Sequence, residues 1–508
     1  MRIDRGVGVG VSGIFLSMVL AANACKTSGS TAADAGVGSP SSSSGNPHDS
    51  GTGDNDSGVV LDDAGNPVDP VCNLRDVDIN HILSTGQSNS VSNGGNPFIT
   101  DRQTLGNYMF DTGVMTGGGC DDGQGCTQYQ TPSSLVPLIE GDSFFNFATE
   151  TMSAGLGNQV TFLASGYGLT HHTMVSLHGR SGNTYWCLRK GGCSYGQQNM
   201  AGTPYVIPFA DGMRQVTDGK RLAAAIGKSY VVRAVTAIHG ESDHYHQPTD
   251  PTESEFAFLT KSDGSNTPVG TYADGMIEWQ RDYESSVKAI TGQSESVPLF
   301  ISQMSTYTDG PYSLVAQHQL EAHVRAPGKV ILVGAGYPLP FAGDCLHYTA
   351  HSQRWLGAYF AKAYASTVLK CKPFSPLRPA TIRMEGANTA VVKFVVPVKP
   401  MVFDTTRVAT VNNYGFNYSD DSNTATINNV ALLSADEVRI TFSAPPTGAN
   451  RKIHYAQNGQ AGNICPGPTN GNRGNLRDSD PTVAFHHDAS DRPYELFNWA
   501  VHFSMPVP

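Results

Sequence analysis

Between residues 76 and 370, short apolar segments alternate with helical patterns, and this alternation limits the fold of the chain more than any other feature. The apolar segments are nearly continuous, which is typical of strands buried on both faces of a parallel sheet. We therefore predict an α/β domain with helices on both faces of the sheet. The predicted strands are Ile79–Leu83, Thr173–Leu177, Tyr230–Ile238, Val297–Met304 and Lys329–Val333, and the predicted helices are Phe144–Leu156, Phe209–Ile226, Tyr272–Ile290, Tyr312–Val324 and His347–Leu369.

Polar, glycine-containing loops follow these strands, so they are expected to meet at one edge of the sheet, where ligands of open α/β sheets bind. The first strand leads into G-Q-S-N at Gly86–Asn89, which places Ser88 at that edge. Taken alone, the pattern of Ser88 is more typical of a helix N-cap than of a nucleophile. The later loops therefore have to supply a base and an oxyanion hole before Ser88 can be interpreted as catalytic.

A candidate base follows the fifth strand, in D-C-L-H at Asp344–His347. An aspartate three residues before a histidine can fold back onto one ring nitrogen and leave the other nitrogen facing a nucleophile. This string is common by chance, but its place after a strand of the same sheet is informative.

Three blocks, G-Q-S-N at Gly86–Asn89, G-E-S-D at Gly240–Asp243 and D-x-x-H at Asp344–His347, resemble those of the SGNH hydrolase superfamily. They are most similar to the sialate O-acetylesterase and acetylxylan-esterase-like branch of carbohydrate esterases. The resemblance covers roughly residues 76–370 and implies a three-layer α/β/α flavodoxin-like fold. It also implies hydrolysis of esters, commonly acetyl groups on sugars, with Ser88 as nucleophile, His347 as general base and Asp344 as its orienting partner.

The resemblance also implies an oxyanion hole formed by the Ser88 N–H, a glycine N–H and a side chain. Gly182, in S-G-N-T, is the first choice for the glycine and Gly179 the second, because a residue without Cβ allows close approach of its N–H. The side-chain position holds His239 where this branch usually has glutamine. An imidazole N–H can donate a hydrogen bond, so His239 is predicted either in the hole or in a structural position. Glu241 and Asp243 are expected to brace their loop.

The expected partner is an acylated polysaccharide or sugar, and no cofactor or metal is implied. His347 and His351 have the spacing of a helical metal pair, but they lack the glutamate and third ligand of a zinc hydrolase. Two alternatives stay open: an esterase or lipase acting on non-sugar esters, and a surface-tethered glycan-binding protein on an esterase fold. The net charge of −11 argues against nucleic acid as a partner.

The N-terminus has the pattern of an export signal, with a basic start, an apolar core at Val7–Leu20 and A-N-A before Cys25. Cys25 is the predicted lipidation site, although the box is weak and plain secretion is the alternative. Residues 26–71 are rich in Ser, Gly and Asp and lack aromatic side chains, which predicts a disordered tether. The protein is therefore expected to be exported, as a bacterial outer-membrane or cell-surface lipoprotein or else as a secreted protein, with the membrane contacted only through a lipid anchor.

The other eight cysteines are an even number, and in an exported protein they predict disulfides. Local pairs are predicted for Cys120 with Cys126 and for Cys187 with Cys193. Four cysteines are left with three alternative pairings, of which Cys72 with Cys371 is attractive because it would tie the ends of the catalytic domain: Cys72, Cys345, Cys371 and Cys465.

From residue 374 onward the helical pattern disappears, and β-branched residues alternate between Asn, Asp and Gly turns. We therefore predict a signal region at 1–25, a tether at 26–71, an esterase domain at 72–373 and a β-rich accessory domain, expected to be a sandwich, at 374–508. The strands predicted in the last domain are Ala380–Met384, Ala390–Val396, Arg407–Val411, Ala425–Ile427 and Glu437–Phe442. The polar segment Gly471–Asp480 is interpreted as a structural loop held by charge pairs.

Overall fold

The computed structural model describes residues 75–116, 129–141, 149–192, 208–245, 260–306, 314–457 and 465–508. All described residues belong to one compact unit of the chain, Asp69–Pro508. The predicted signal region, the predicted tether and the predicted lipidation site Cys25 lie outside the described residues.

A seven-stranded, mostly parallel sheet forms the centre of the described chain, in the order β3-β2-β4-β1-β5-β6-β7. Only β3 runs antiparallel to its neighbour β2. The five predicted strands are confirmed as β1 and β4–β7, and every residue of β1 is buried. The strands are β1 Ile79–Gly86, β2 Tyr108–Phe110, β3 Leu135–Pro137, β4 Thr173–Leu177, β5 Tyr230–Ile238, β6 Leu299–Gln303 and β7 Val330–Ala335.

Helices lie against both faces of this sheet. Ile82 of β1 packs in one apolar cluster with the first and last helices, whereas its neighbour Leu83 packs in another with the third and fifth. None of the described helices has the length and apolar character needed to cross a bilayer. The helices are α1 Met152–Gly166, α2 Tyr185–Leu188, α3 Pro208–Ala225, α4 Glu241–Tyr245, α5 Tyr272–Thr291, α6 Val315–Arg325 and α7 Ala350–Tyr364, the last continuing as a π-helical turn over Ala365–Leu369.

The first helix begins later than the sequence pattern predicts. Its N-cap is Thr151, whose side chain accepts a hydrogen bond from the Ser153 N–H. The buried Glu140 carboxylate also accepts hydrogen bonds from the N–H groups of Thr151 and Ala154. These acceptors satisfy N–H groups that a helix start leaves unpaired. The predicted helix Phe144–Leu156 was therefore wrong over its described residues before Met152, and residues 142–148 lie outside the description.

After residue 374 the chain is β-rich, as predicted. A four-stranded sheet has the order β12-β13-β9-β8, a second sheet has the order β11-β14-β18, and two short pairs join β10 to β15 and β16 to β17. The strands are β8 Arg378–Met384, β9 Thr389–Val395, β10 Val402–Phe403, β11 Phe416–Ser419, β12 Ile427–Leu432, β13 Glu437–Phe442, β14 Lys452–Tyr455, β15 Leu476–Arg477, β16 Val483–His487, β17 Pro493–Glu495 and β18 Phe503–Pro506.

The predicted strand at Arg407–Val411 was wrong, because this stretch is a turn. The Asp404 carboxylate accepts hydrogen bonds from the N–H groups of Thr406 and Arg407, at 2.9 and 3.0 Å. An aspartate that captures backbone donors two and three residues later favours a turn over a strand. The same carboxylate pairs with Arg477 at 2.7 Å, in agreement with the interpretation of Gly471–Asp480 as a segment held by charge pairs.

The β-rich region shares a hydrophobic core with the α/β region. Trp279 of α5 and Phe416 of β11 belong to the same cluster of buried side chains. Buried polar contacts add to it. The Gln303 side chain donates to the His502 carbonyl and accepts from the His502 N–H, at 2.9 and 2.8 Å, and Lys362 lies 3.2 Å from Asp480. The β-rich region therefore holds the carboxyl end of β6 and helix α7.

Candidate active site

Ser88 stands in a tight turn directly after β1. Gly86 is required there, because a Cβ at this position would lie 2.1 Å from the Ile238 carbonyl oxygen. The turn is closed by the N–H groups of Ser90 and Val91, which donate to the Gln87 carbonyl at 2.8 and 3.1 Å. No helix follows within residues 88–116, so Ser88 is not a helix N-cap. Its own N–H donates to no other described residue, so this N–H is available to a ligand.

Asp344 and His347 meet as their spacing predicts. The Asp344 Oδ2 lies 2.6 Å from His347 Nδ1, and its Oδ1 accepts the N–H groups of Leu346 and His347 at 3.0 Å each. Partial burial raises the pKa of Asp344, but the hydrogen bonds from His347 and Leu346 outweigh burial and lower it below the usual value. Asp344 is therefore ionised at neutral pH. It holds the His347 imidazole through Nδ1, so that Nε2 faces away from the carboxylate.

Asn89 connects the serine turn to the histidine loop. Its Nδ2 donates to the Leu346 carbonyl at 3.1 Å, and its Oδ1 accepts the Tyr348 N–H at 3.1 Å. These two contacts bracket His347, so the residue next to Ser88 is fixed to both neighbours of the base. This role of Asn89 was not predicted from the sequence. Its position inside the G-Q-S-N block, beside the nucleophile, was the available signal.

The second ring nitrogen of His347, Nε2, is buried and forms no hydrogen bond with any of the described residues. Nε2 forms no hydrogen bond with Ser88 Oγ. Hydrogen bonds between catalytic groups are often long or absent before substrate binds and the site tightens. A buried nitrogen without a partner is uncommon and calls for an explanation. An acceptor kept free beside a serine turn can take a proton from that serine.

Glu241 and Gln87 brace the turn from the β5 side. Gln87 Nε2 donates to Glu241 Oε2 at 2.8 Å, and Gln87 Oε1 accepts the Ser242 N–H at 2.9 Å. Glu241 Oε1 accepts from Asn89 at 3.0 Å. Burial raises the pKa of Glu241. These contacts hold the loop of Glu241 against the serine turn, which is the bracing role expected of Glu241. Asp243 also braces its loop, because its carboxylate accepts the Tyr185 N–H at 3.0 Å.

His239 is buried, and both its ring nitrogens have partners. Nε2 lies 3.2 Å from the Asn183 carbonyl and 3.2 Å from Asp243, and Nδ1 lies 2.7 Å from the Tyr272 hydroxyl. Burial lowers the pKa of His239 to about 4, so the ring is neutral at neutral pH. The carbonyl can only accept, so Nε2 carries the proton and Nδ1 accepts from Tyr272. The one ring N–H is thus engaged, which favours the structural position over the oxyanion hole.

The S-G-N-T segment lies beside the serine turn. The Arg180 N–H donates to the Gly86 carbonyl at 2.8 Å, and Asn93 Nδ2 donates to Ser181 Oγ at 2.9 Å. Gly182 is exposed, with a positive φ of +68°, whereas Gly179 is buried, where a Cβ would lie 2.2 Å from Ser90 Oγ. Neither glycine N–H donates to another described residue. Both predicted glycine donors are therefore available, and Gly182 stays the first choice.

Two aromatic residues follow this segment. Tyr185 is fully buried, as expected of a core residue, and its hydroxyl donates to Glu278 at 2.8 Å. Trp186, the next residue, is instead 46% exposed. Its short helix is held by the contact of Asp243 with the Tyr185 N–H and by the pair of Arg189 with Glu278 at 3.0 Å, so the exposed ring stands on a fixed support.

A disulfide holds the histidine loop from outside the sheet. Cys345, between Asp344 and His347, is bonded to Cys465, 120 residues later. This is one of the alternatives left open by the sequence. Cys187 and Cys371 are also disulfide-bonded, and their predicted partners Cys193 and Cys72 lie outside the described residues, as do Cys120 and Cys126.

The histidines considered as metal ligands have other contacts. His351 Nδ1 lies 2.6 Å from the Tyr494 hydroxyl, and His347 Nδ1 is held by Asp344. Within the described ranges, no three His, Cys, Asp or Glu side chains converge in a way that could hold a metal ion.

Comparison with known proteins gives structural neighbours only, since no protein-family model and no curated protein matches the chain. A carbohydrate acetylesterase from Xanthomonas citri is 12% identical over 84% of this chain and 80% of its own, with a TM-score of 0.48. The carbohydrate acetylesterase Est24 from Sinorhizobium meliloti is 11% identical over 56% of this chain and 98% of its own, with a TM-score of 0.27. The acetyl xylan esterase Est2A from Butyrivibrio proteoclasticus is 11% identical over 57% and 64%, with a TM-score of 0.24.

By name these neighbours are enzymes of the branch that the three sequence blocks resemble. All three are at most 12% identical to this chain, with TM-scores below 0.5.

Proposed function

We propose that this protein is a serine esterase that removes acyl groups, most simply acetyl groups, from carbohydrates, on a three-layer α/β/α flavodoxin-like SGNH hydrolase fold. One observation carries the proposal. His347 is held at Nδ1 by Asp344 and keeps a buried, unpartnered Nε2, on a loop that Asn89 fixes to the Ser88 turn. This is the arrangement that base-assisted attack by a serine requires.

In the proposed reaction, Ser88 Oγ forms a bond with the ester carbonyl carbon while its proton passes to His347 Nε2. The carbonyl oxygen takes the negative charge, which the N–H groups of Ser88 and Gly182 stabilise. The intermediate collapses, the bond to the alcohol oxygen breaks, and the proton from His347 leaves with the sugar hydroxyl. Water, deprotonated by His347, then attacks the acyl-enzyme, and the acid leaves with Ser88 restored.

The test is release of acetate from an acetylated oligosaccharide and from an aryl acetate. Ser88→Ala is expected to abolish both without changing the unfolding temperature. A matched control is Ser419→Ala, because the Ser419 hydroxyl also lies 2.8 Å from a histidine, His454, in the β-rich region. Substantial turnover by Ser88→Ala would overturn the proposed mechanism.

Trp186 supports a sugar as the substrate. A flat, exposed ring beside the candidate oxyanion loop offers a stacking surface, and its fixed support reduces the entropy lost on binding. We expect Trp186→Ala to raise KM for the acetylated oligosaccharide about tenfold and to leave the aryl acetate reaction unchanged. Phe162→Ala, which removes an exposed aromatic ring of α1 that is 42% exposed, is the control. An equal effect on both substrates would favour the alternative, an esterase for non-sugar esters.

We further propose that the protein is exported and attached to a membrane through lipid on Cys25, with plain secretion as the alternative. The disulfides at Cys345, Cys187 and Cys371 support export, because such bonds persist in oxidising compartments. Palmitate labelling of the full chain should require Cys25, and an unlabelled soluble product would indicate secretion.

A further inference from the structure

Lys362 is a buried lysine of α7 that the proposed ester hydrolysis does not use. Its Nζ donates hydrogen bonds to the Leu496 carbonyl and to Asn498 Oδ1, the second at 2.7 Å, and lies 3.2 Å from Asp480 Oδ2. The Tyr359 ring lies against it, with the ring centroid 5.4 Å from Nζ. A lysine is rarely buried unless it is paired, because taking an ammonium group out of water is costly. Here its partners include a carboxamide, a group with which an amine can react.

The Asn498 carboxamide is held in one orientation, with its oxygen toward Lys362. Its Nδ2 donates to Asp478 Oδ2 at 2.7 Å and lies 3.3 Å from Asp480 Oδ2. The Asn498 backbone N–H donates to the other oxygen of Asp478 at 2.8 Å, which fixes the main chain as well. All four side chains are buried. The amine is thus a neighbour of the carboxamide carbon, Cγ, because Cγ is bonded to the oxygen that Nζ contacts.

Asp480 contacts both groups through the same carboxylate oxygen. Its Oδ2 lies 3.2 Å from Lys362 Nζ and 3.3 Å from Asn498 Nδ2. A carboxylate in this place can take a proton from the amine and deliver it to a leaving nitrogen. Burial lowers the pKa of Lys362, which eases the loss of that proton, although Asp480 and Asp478 partly oppose the shift. An amine, a carboxamide and a proton carrier are therefore assembled in one buried cluster.

We propose that Lys362 and Asn498 form an intramolecular isopeptide bond, with Asp480 as the proton carrier. Asp480 takes one proton from the Nζ ammonium group, and the lone pair of the resulting amine forms a bond with Asn498 Cγ. The bond from Cγ to Nδ2 breaks, and Nδ2 leaves as ammonia with the proton from Asp480. A second proton from Nζ departs with the ammonia as ammonium, so the carboxylate is restored. Contact raises the effective concentration of the two groups, and burial excludes competing water.

The bond would join two parts of the chain that are 136 residues apart. Lys362 lies on α7, which follows the loop of His347, and Asn498 lies in the β-rich region after β17. With the disulfide from Cys345 to Cys465, the isopeptide bond would be a second covalent link between these parts. The inference does not depend on the proposed esterase function, because its readout is a covalent bond and not an activity.

Mass spectrometry of the full chain after reduction and tryptic digestion tests the bond. Trypsin does not cleave after a modified lysine, so we expect residues 355–370 as one peptide joined to residues 478–508. Neither peptide contains a cysteine, so a disulfide cannot join them. The joined peptide should be lighter than the sum of its parts by one ammonia, with the branch at Asn498. Recovery of the separate peptides alone would overturn the proposal, and so would loss of water, which would place the bond at Asp480.

Three variants test the role of each group. Lys362→Arg keeps the charge, but a guanidinium group stays protonated and cannot attack, so the joined peptide should disappear. Asp480→Asn keeps both reacting groups and removes the proton carrier, and we expect the joined fraction to fall at least about tenfold. Lys393→Arg, which changes an exposed lysine paired with Asp436, is the control and should leave the joined fraction unchanged. An unchanged fraction in Asp480→Asn would overturn the role of Asp480. Thermal unfolding identifies variants that misfold, and the wild-type digest then decides the question.

Discussion

Replacing Asp344 by asparagine tests whether the carboxylate acts on the His347 ring or merely shapes its loop. The carboxylate has two functions on different oxygens. Oδ1 accepts two backbone N–H groups at 3.0 Å, and Oδ2 lies 2.6 Å from His347 Nδ1. In Asp344→Asn the Oδ1 contacts survive, so the loop keeps its shape. The new NH₂ group faces Nδ1, so the ring turns to the tautomer whose proton is on Nε2, where it can no longer accept the proton of Ser88.

The size of the effect follows from burial. In a fully buried triad the same substitution costs about 10⁴-fold in kcat, or about 5 kcal/mol. Here 49% of the Asp344 side chain is exposed, against 14% for His347. Water can therefore replace part of the lost interaction, and we expect about 10²–10³-fold, or about 3–4 kcal/mol. KM should change little, because Asp344 touches the histidine and not the substrate.

The assay is steady-state hydrolysis of an aryl acetate, with Asp344→Ala and Asp491→Asn measured in parallel. Asp344→Ala removes the backbone contacts as well and should be at least as slow. Asp491 forms a similar exposed pair with His487 at 2.8 Å, far along the chain from Ser88, and Asp491→Asn should be fully active. If Asp344→Asn retained activity and only Asp344→Ala lost it, Asp344 would shape the loop and would not be a member of a catalytic triad.

Two further predictions concern stability. Cys465→Ser removes the disulfide to Cys345, which should reduce the free energy of unfolding by up to about 5 kcal/mol for a loop of this length. It should also lower kcat, because the His347 loop becomes looser. An unchanged kcat would show that this loop is held without the disulfide. His178 and His502 have pKa values lowered by burial to about 3 and about 4, against 6.5 when unfolded. The unfolded chain therefore binds protons first as the pH falls, and urea denaturation should show a loss of about 2 kcal/mol per histidine between pH 7 and 5; rising stability would contradict this.

The parts of the site that could be predicted from sequence are those set by local geometry. Asp344 and His347 are three residues apart, so their contact depends on little besides the turn between them. The partners of His239 are set by distant chain segments, because Tyr272 lies on α5 and Asn183 follows β4. A resemblance in sequence blocks can name the position that His239 fills. It gives no information on whether the ring's single N–H is already engaged.

In the fold as well, features set by the local sequence could be predicted and features set by distant residues could not. Continuous apolar segments of the sequence predicted five strands of the central sheet, because a strand that is buried on both faces is apolar at successive positions. The start of α1 depends on Glu140, whose carboxylate reaches the first turn of the helix from a separate loop. The turn at Arg407–Val411 depends on Asp404, whose capture of backbone donors overrides the β-branched pattern. In both cases, hydrogen bonds to one carboxylate determined the backbone conformation, and periodicity alone predicted a different one.

The β-rich region bears on how the proposed catalytic base is held. The boundary at residue 374 is a prediction from a change of pattern, yet the buried core is continuous across it. Cys465 is bonded to the loop of His347, and Tyr494 contacts His351 one turn further on. Among the described residues, the side-chain hydrogen bonds that hold the serine turn come from the α/β region, including that of Asn89 with Glu241. Because the base is supported from both regions and the nucleophile from one, loss of the β-rich contacts should displace His347 before it displaces Ser88.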